Sequence, residues 1–135
     1  MTQVSSLYLH VPFCRHLCNY CDFYKRSFEN PTEQIAEFQA SLRMEIVRYE
    51  RLLQEYGFVW GPLNTVYLGG GTPSLWGAEG ARFFREEVLK DKSLEQAEFT
   101  MEVDPGTWRP EMLRAWQKVG LNRISIGTQT LNPAF

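Results

Sequence analysis

At 135 residues the chain has room for one ordinary domain, and 44% hydrophobic with 22% charged residues is the make-up of a globular protein. A formal net charge of −2 removes the electrostatic case for nucleic acid as a partner, and no apolar run nears the roughly 18 residues of a membrane span. The N-terminus MTQVSSLYLHVPF lacks the basic start, long apolar run and small-residue cleavage site of a secretory leader, so the expected location is cytoplasmic.

In chain order the pattern is strand, loop, helix, repeated. Leu7 to Val11 reads as a strand running into Pro12 and a cysteine-rich loop. A long helix follows, with Ile35, Phe38, Leu42, Ile46, Tyr49, Leu53 and Tyr56 three or four apart on one face. Asn30 is placed to cap it, Pro31 suits its first position, Glu33 completes a capping-box arrangement, and Gly57 is placed to end it. Thr65 to Leu68 is the second strand, followed by Gly69-Gly70-Gly71-Thr72-Pro73 and a helix over Glu79 to Lys90 that buries Ala81, Phe84 and Val88. Phe99 to Val103 is the third strand, stopped by Asp104-Pro105-Gly106. Pro110 opens a third helix that uses Leu113 and Trp116 and closes at Gly120. Arg123 to Gly127 is the fourth strand, and Leu131 to Phe135 falls in the next loop.

Strands alternating with helices imply βαβ units and a parallel sheet. Each strand, however, alternates apolar residues (Leu7, Leu9, Val11; Val66, Leu68; Phe99, Met101, Val103; Ile124, Ile126) with polar or small ones. A strand with one apolar and one polar face suits a barrel-like wall, helices outside and a polar lumen inside, better than a flat sheet sandwiched by helices. The cysteine loop, the triple glycine, Glu102 to Pro105 and Gly127 to Gln129 all fall at the C-terminal ends of strands, where parallel α/β folds place their active sites.

Cys14, Cys18 and Cys21 are the only cysteines, all within eight positions. A dispersed disulfide set is thereby excluded in favour of metal-ligating thiolates. Three thiolates in a compact loop can take three corners of a cubane cluster and leave one iron open for a cofactor or substrate. A zinc site with His16 or His10 as fourth ligand is the rival. Three unrelated core cysteines are the bland alternative. The triple glycine is either a tight turn or a backbone that a ligand can approach closely. Glu102, on the polar face shared with Tyr8 and His10, needs a partner there. Tyr8 and Tyr20 are as readily core aromatics as ligand contacts, and His10 reads first as a satisfied interior histidine.

The segments Tyr8 to Cys14, Tyr20 to Tyr24, Tyr67 to Leu75, Glu102 to Pro105 and Gly120 to Gln129, in that order, resemble the oxygen-independent coproporphyrinogen III oxidase family of radical S-adenosylmethionine (SAM) proteins. The resemblance implies a partial (β/α) barrel of radical SAM type, of which residues 1–135 are an N-terminal portion with about three βα units plus a fourth strand. It implies a [4Fe–4S] cluster on Cys14, Cys18 and Cys21 whose open iron chelates SAM, and reductive cleavage of SAM to methionine and a 5′-deoxyadenosyl radical. By the same resemblance Tyr8, Tyr20, Gly70, Gly71, Thr72, Glu102 and Gln129 are cofactor contacts.

The coproporphyrinogen-decarboxylating branch of that family carries a further cysteine two residues after the third; here Phe23 stands in its place. Cys21-Asp22-Phe23-Tyr24 resembles the haem-chaperone branch, which implies haem as a ligand, an electron donor and a haem-accepting protein as partners. The oxidase of porphyrin biosynthesis is the alternative, so enzymatic turnover stays open at this point. A non-catalytic metal-binding module, which would have no use for the glycines and Glu102, is the third.

Overall fold

The computed structural model describes residues 1–134; Phe135, the end of the expected last loop, lies outside them. Four long strands form one parallel sheet: β1 (Thr2–Val11), β4 (Phe58–Gly70), β5 (Glu98–Val103) and β6 (Arg123–Ile126), neighbours in that order. Between β1 and β4 lie the two-residue strands β2 (Phe13–Cys14) and β3 (Arg26–Ser27), paired in parallel, and helix α1 (Pro31–Glu55). Helix α2 (Gly77–Phe83) lies between β4 and β5, and α3 (Pro110–Val119) between β5 and β6. Each long strand pairs with the next in sequence, the order of a barrel wall and not of a doubly wound sheet, whose order reverses at a switch point.

The alternation in the strands has the consequence expected of it. Leu9, Val11, Val66, Leu68, Phe99, Met101 and Val103 are buried with Leu42, Trp76, Phe84, Val88 and Trp116 in one core beneath the helices. The intervening Tyr8, His10, Tyr67 and Glu102 are less buried and alternate with these along the strands. Ile124 and Ile126 depart from expectation. They share the face of Met101 and Val103 by register, yet are 41% and 49% exposed, because no described helix covers β6.

Three local expectations need correcting. Glu33 does not close a capping box at the start of α1. Gln34 does so one position later: its side-chain oxygen accepts from the amides of Glu29 and Asn30 at 2.9 and 3.0 Å, and its amide donates to Ser27 O at 2.7 Å. Asn30 is the capping residue by position but makes no side-chain capping bond. Tyr49 and Tyr56 are exposed, whereas Gln39 is buried beside Leu42. The C-terminal half of α1 stands off β1, leaving a groove of about 860 Å³ between Leu7 and Leu9 on one side and Ile46, Tyr49 and Leu53 on the other.

The helix expected over Glu79 to Lys90 begins earlier, as a 3₁₀ turn (Pro73–Trp76), and ends in a π-helical stretch (Phe84–Leu89). Glycine hides that early start from a propensity reading: Gly77 and Gly80 are poor helix formers. A Cβ on Gly80 would lie 2.4 Å from the Trp76 ring, so the glycine is what lets Trp76 pack against the helix. Gly57 and Gly120 end α1 and α3 at φ +74° and +122°, as read from the sequence.

Candidate functional site

The cysteine loop is tied at its base. Arg26 N donates to Pro12 O at 2.6 Å and Phe28 N to Cys14 O at 3.0 Å, so β2 and β3 close the segment 15–25 into a loop at the C-terminal end of β1. Inside it Cys21 N donates to Cys18 O at 3.3 Å, and Lys25 Nζ donates to Cys21 O. All three cysteines are free thiols, each half-buried. Burial pushes the Cys14 thiol up from its ordinary pKa, opposed in part by the hydrogen bond from Thr72. Tyr20, exposed beside Cys18, has its phenol raised chiefly by its hydrogen bond to that sulfur.

The glycine turn docks onto this loop. Gly71 N donates to Val11 O at 2.8 Å, Thr72 N to Phe13 O at 2.6 Å, and Thr72 Oγ1 to Cys14 Sγ at 3.8 Å. A Cβ on Gly71 would lie 2.6 Å from Phe13 O and 2.9 Å from Cys14 Sγ. Gly70 is at φ +115°, with His10 and Val11 O each 2.8 Å from where its Cβ would be. Neither position admits a side chain, so bare backbone faces the thiol.

Glu102 on β5 closes the other side. Its Oε2 accepts from Gly70 N at 3.2 Å and its Oε1 from the Tyr67 hydroxyl at 2.8 Å. Tyr67 stacks on Tyr8 with ring centroids 6.2 Å apart. The Tyr67 phenol is raised by burial and then by its bond to Glu102; that of Tyr8 is raised by burial and then by the charge of Glu102.

His10 is satisfied, as expected. Its Nε2 lies 2.8 Å from Tyr24 O, which can only accept, so Nε2 carries the proton and Nδ1 accepts from the Tyr8 hydroxyl at 3.0 Å. Both ring nitrogens are therefore occupied, which removes His10 as a zinc ligand. Among the described residues no set of three His, Cys, Asp or Glu side chains converges as a single metal ion requires.

The fold thus gathers Tyr8, Cys14, Gly70, Gly71, Thr72 and Glu102 at one end of the sheet, with Cys18, Tyr20 and Cys21 on the loop above. Gln129 is exposed beyond β6; its side chain and Asp104 both flank Gly127. The sequence reading missed Tyr67 as a site residue, although strand alternation puts it on the polar face with Tyr8.

Three comparisons bear on what such a site belongs to. The family model described as the Radical SAM superfamily matches residues 8–135. The heme chaperone HemW of Haemophilus influenzae is 32% identical over 131 residues, covering 94% of this chain and 33% of that protein. The heme chaperone HemW of Lactococcus lactis is 35% identical over 138 residues, covering all of this chain and 33% of that protein. The oxygen-independent coproporphyrinogen III oxidase of Bradyrhizobium diazoefficiens is 34% identical over 133 residues, covering 96% of this chain and 28% of that protein. Among solved structures, the coproporphyrinogen III oxidase HemN of Escherichia coli, titled a radical SAM enzyme, superposes with a TM-score of 0.76 at 27% identity, over 98% of this chain and 30% of that one. The chain spans about a third of the length of the curated relatives it matches. No described helix is long and apolar enough to cross a membrane.

Proposed function

Because the chain belongs to the radical SAM superfamily, we propose that Cys14, Cys18 and Cys21 hold a [4Fe–4S] cluster and that the glycine turn, Glu102, Tyr8, Tyr20 and Gln129 receive SAM beside it. The observation that carries this is the backbone cradle of Gly70, Gly71 and Thr72, seated directly on Cys14 and tied to Glu102. The residues fit such a group: three free thiols share one short loop, and the Gly70–Gly71 backbone packs against Cys14 and its neighbours more closely than any residue with a Cβ could. A third possibility, a metal module without SAM, gives the cradle and Glu102 nothing to do.

When bound, cluster and SAM together supply one-electron reduction and hydrogen abstraction. The chain's own residues bind and orient. Thr72 donates to the Cys14 sulfur and so pulls that thiol's pKa down, against the larger upward push of burial. Glu102 offers acceptor lone pairs to the ammonium or hydroxyl donors of a ligand. Tyr8 is held by its hydroxyl on His10 and by its ring stacked on Tyr67. Leu17, Tyr20, Phe23 and Tyr24 are exposed on the cysteine loop, an apolar rim over the site.

For the whole protein we propose haem binding and transfer to an acceptor, with an electron donor serving the cluster. Phe23 supports this: an apolar ring, 73% exposed, stands where the decarboxylating branch has a cysteine. The oxidase is the second reading, favoured by the relatives bearing that name. An anaerobic assay for protoporphyrinogen IX, run beside a haem titration followed at the Soret band on the full-length protein, separates the two. Haem binding without turnover is the expected result. Turnover without haem binding overturns the chaperone reading in favour of the oxidase.

A further inference from the structure

Glu102 does not wait for a ligand unpartnered. Two donors from β4 reach it across the sheet, the Tyr67 hydroxyl on Oε1 and the Gly70 amide on Oε2. The last torsion of a glutamate side chain is soft, with broad and roughly two-fold preferences. One donor would leave the carboxylate free to swing; two donors on different oxygens fix its plane. A carboxylate has about four lone-pair sites, so roughly two remain for a ligand. We propose that Tyr67 is the positioning residue of this site: it holds Glu102 oriented so that the remaining lone pairs meet the ammonium or vicinal hydroxyls of SAM. The inference rests on the SAM reading above and adds to it the residue that sets the acceptor's geometry.

Packing alone does not account for the hydroxyl. The Tyr67 ring is half-buried and stacked on Tyr8, and phenylalanine would fill the same space. What phenylalanine lacks is the donor to Oε1. Burial raises both phenols above their ordinary range, and Glu102, the largest charged contributor to each, adds to that rise. The Tyr67 hydroxyl therefore remains a protonated donor across the physiological pH range.

The test is a double-mutant cycle on the full-length, cluster-loaded protein, with SAM affinity measured by calorimetry for wild type, Tyr67→Phe, Glu102→Gln and the double variant. Tyr67→Phe is expected to weaken SAM binding roughly tenfold, the size of one charge-assisted hydrogen bond. The double variant is expected to bind no worse than Glu102→Gln, because Tyr67 acts through Glu102. A ligand-free readout accompanies it. In the difference absorbance between wild type and Tyr67→Phe, the Tyr67 phenolate forms above the usual pH of about 10; with Glu102→Gln as the background it forms at lower pH. Unchanged affinity in Tyr67→Phe, fully additive losses, or a phenolate titration indifferent to Glu102 each overturn the proposal while leaving the SAM reading intact. Failure of the wild-type protein to bind SAM overturns that reading and this inference with it. If Tyr67→Phe fails to load its cluster, the titration in cluster-free protein decides.

Discussion

Among single residues, glycine separates conformational cost from steric cost most cleanly. Gly57 sits at φ +74° with nothing within 4 Å of a would-be Cβ, so Gly57→Ala carries only the left-handed penalty of about 1 kcal/mol. Gly71→Ala has to displace Phe13 O and Cys14 Sγ, and it should lower iron and sulfide content in anaerobic reconstitution, which Gly57→Ala leaves unchanged. Equal cluster contents in the two variants would refute the cradle. Replacing Cys14, Cys18 or Cys21 by alanine should abolish the four-iron, four-sulfide stoichiometry, since the sequence has no other cysteine to substitute. Stoichiometric zinc without sulfide, lost with His16, would reverse that assignment. Most of the site is legible at this scale because the cysteine spacing and the triple glycine are local signals. Tyr67 was not legible. Its pairing with Glu102 depends on how β4 and β5 align, with Leu68 opposite Met101, and register is a property of two strands together. Tyr67 also sets a pH dependence. Its folded-state phenol pKa is raised, so its contribution to stability is complete below the unfolded value of about 10 and is lost as pH rises through the folded one.

At the scale of elements, α2 rests on an aromatic cluster. Trp116 of α3 is fully buried, meets Trp76, Phe84 and Phe99, and donates from its indole to Gly77 O at 2.9 Å. Gly80 lies between the two tryptophans, a Cβ there reaching 2.4 Å from Trp76 and 3.0 Å from Trp116. Helix propensity favours Gly80→Ala by about 1 kcal/mol, but overpacking a core costs about 1–3 kcal/mol. Backbone on one side and two large rings on the other leave little room to relax, so a net loss of stability is expected in chemical denaturation. A gain would show that Trp76 repacks freely. Strand and helix order was legible because period-two and three-to-four spacings differ plainly. The 3₁₀ and π segments flanking α2 were not, since they arise from fitting Trp76, Phe84 and Leu89 into one core. Tyr49 and Tyr56 misled for a related reason: three-to-four spacing marks a face without saying how far the sheet extends beneath it.

For the whole molecule, β1 and β6 are the outer strands of the sheet among the described residues, and β6 shows Ile124 and Ile126 to solvent. An open strand carrying exposed isoleucines is a template for pairing with another chain. The 135-residue chain prepared alone should therefore self-associate, and Ile126→Lys should shift it toward monomer in light scattering. A monodisperse wild-type chain with a cooperative melt would contradict this. The barrel wall was foreseeable from the polar alternation within each strand, whereas the groove beside α1 was not, because it depends on how two long elements diverge. The turn at the end of β4 carries one more consequence for the molecule. Its three successive amides, of Gly70, Gly71 and Thr72, donate to Glu102 on β5, Val11 on β1 and Phe13 on β2. Adjacent protons thus guard three different seams. Their separate rates of exchange with deuterium become a built-in gauge of which seam parts first: the one between β4 and β5, the one to β1, or the one to the cysteine loop.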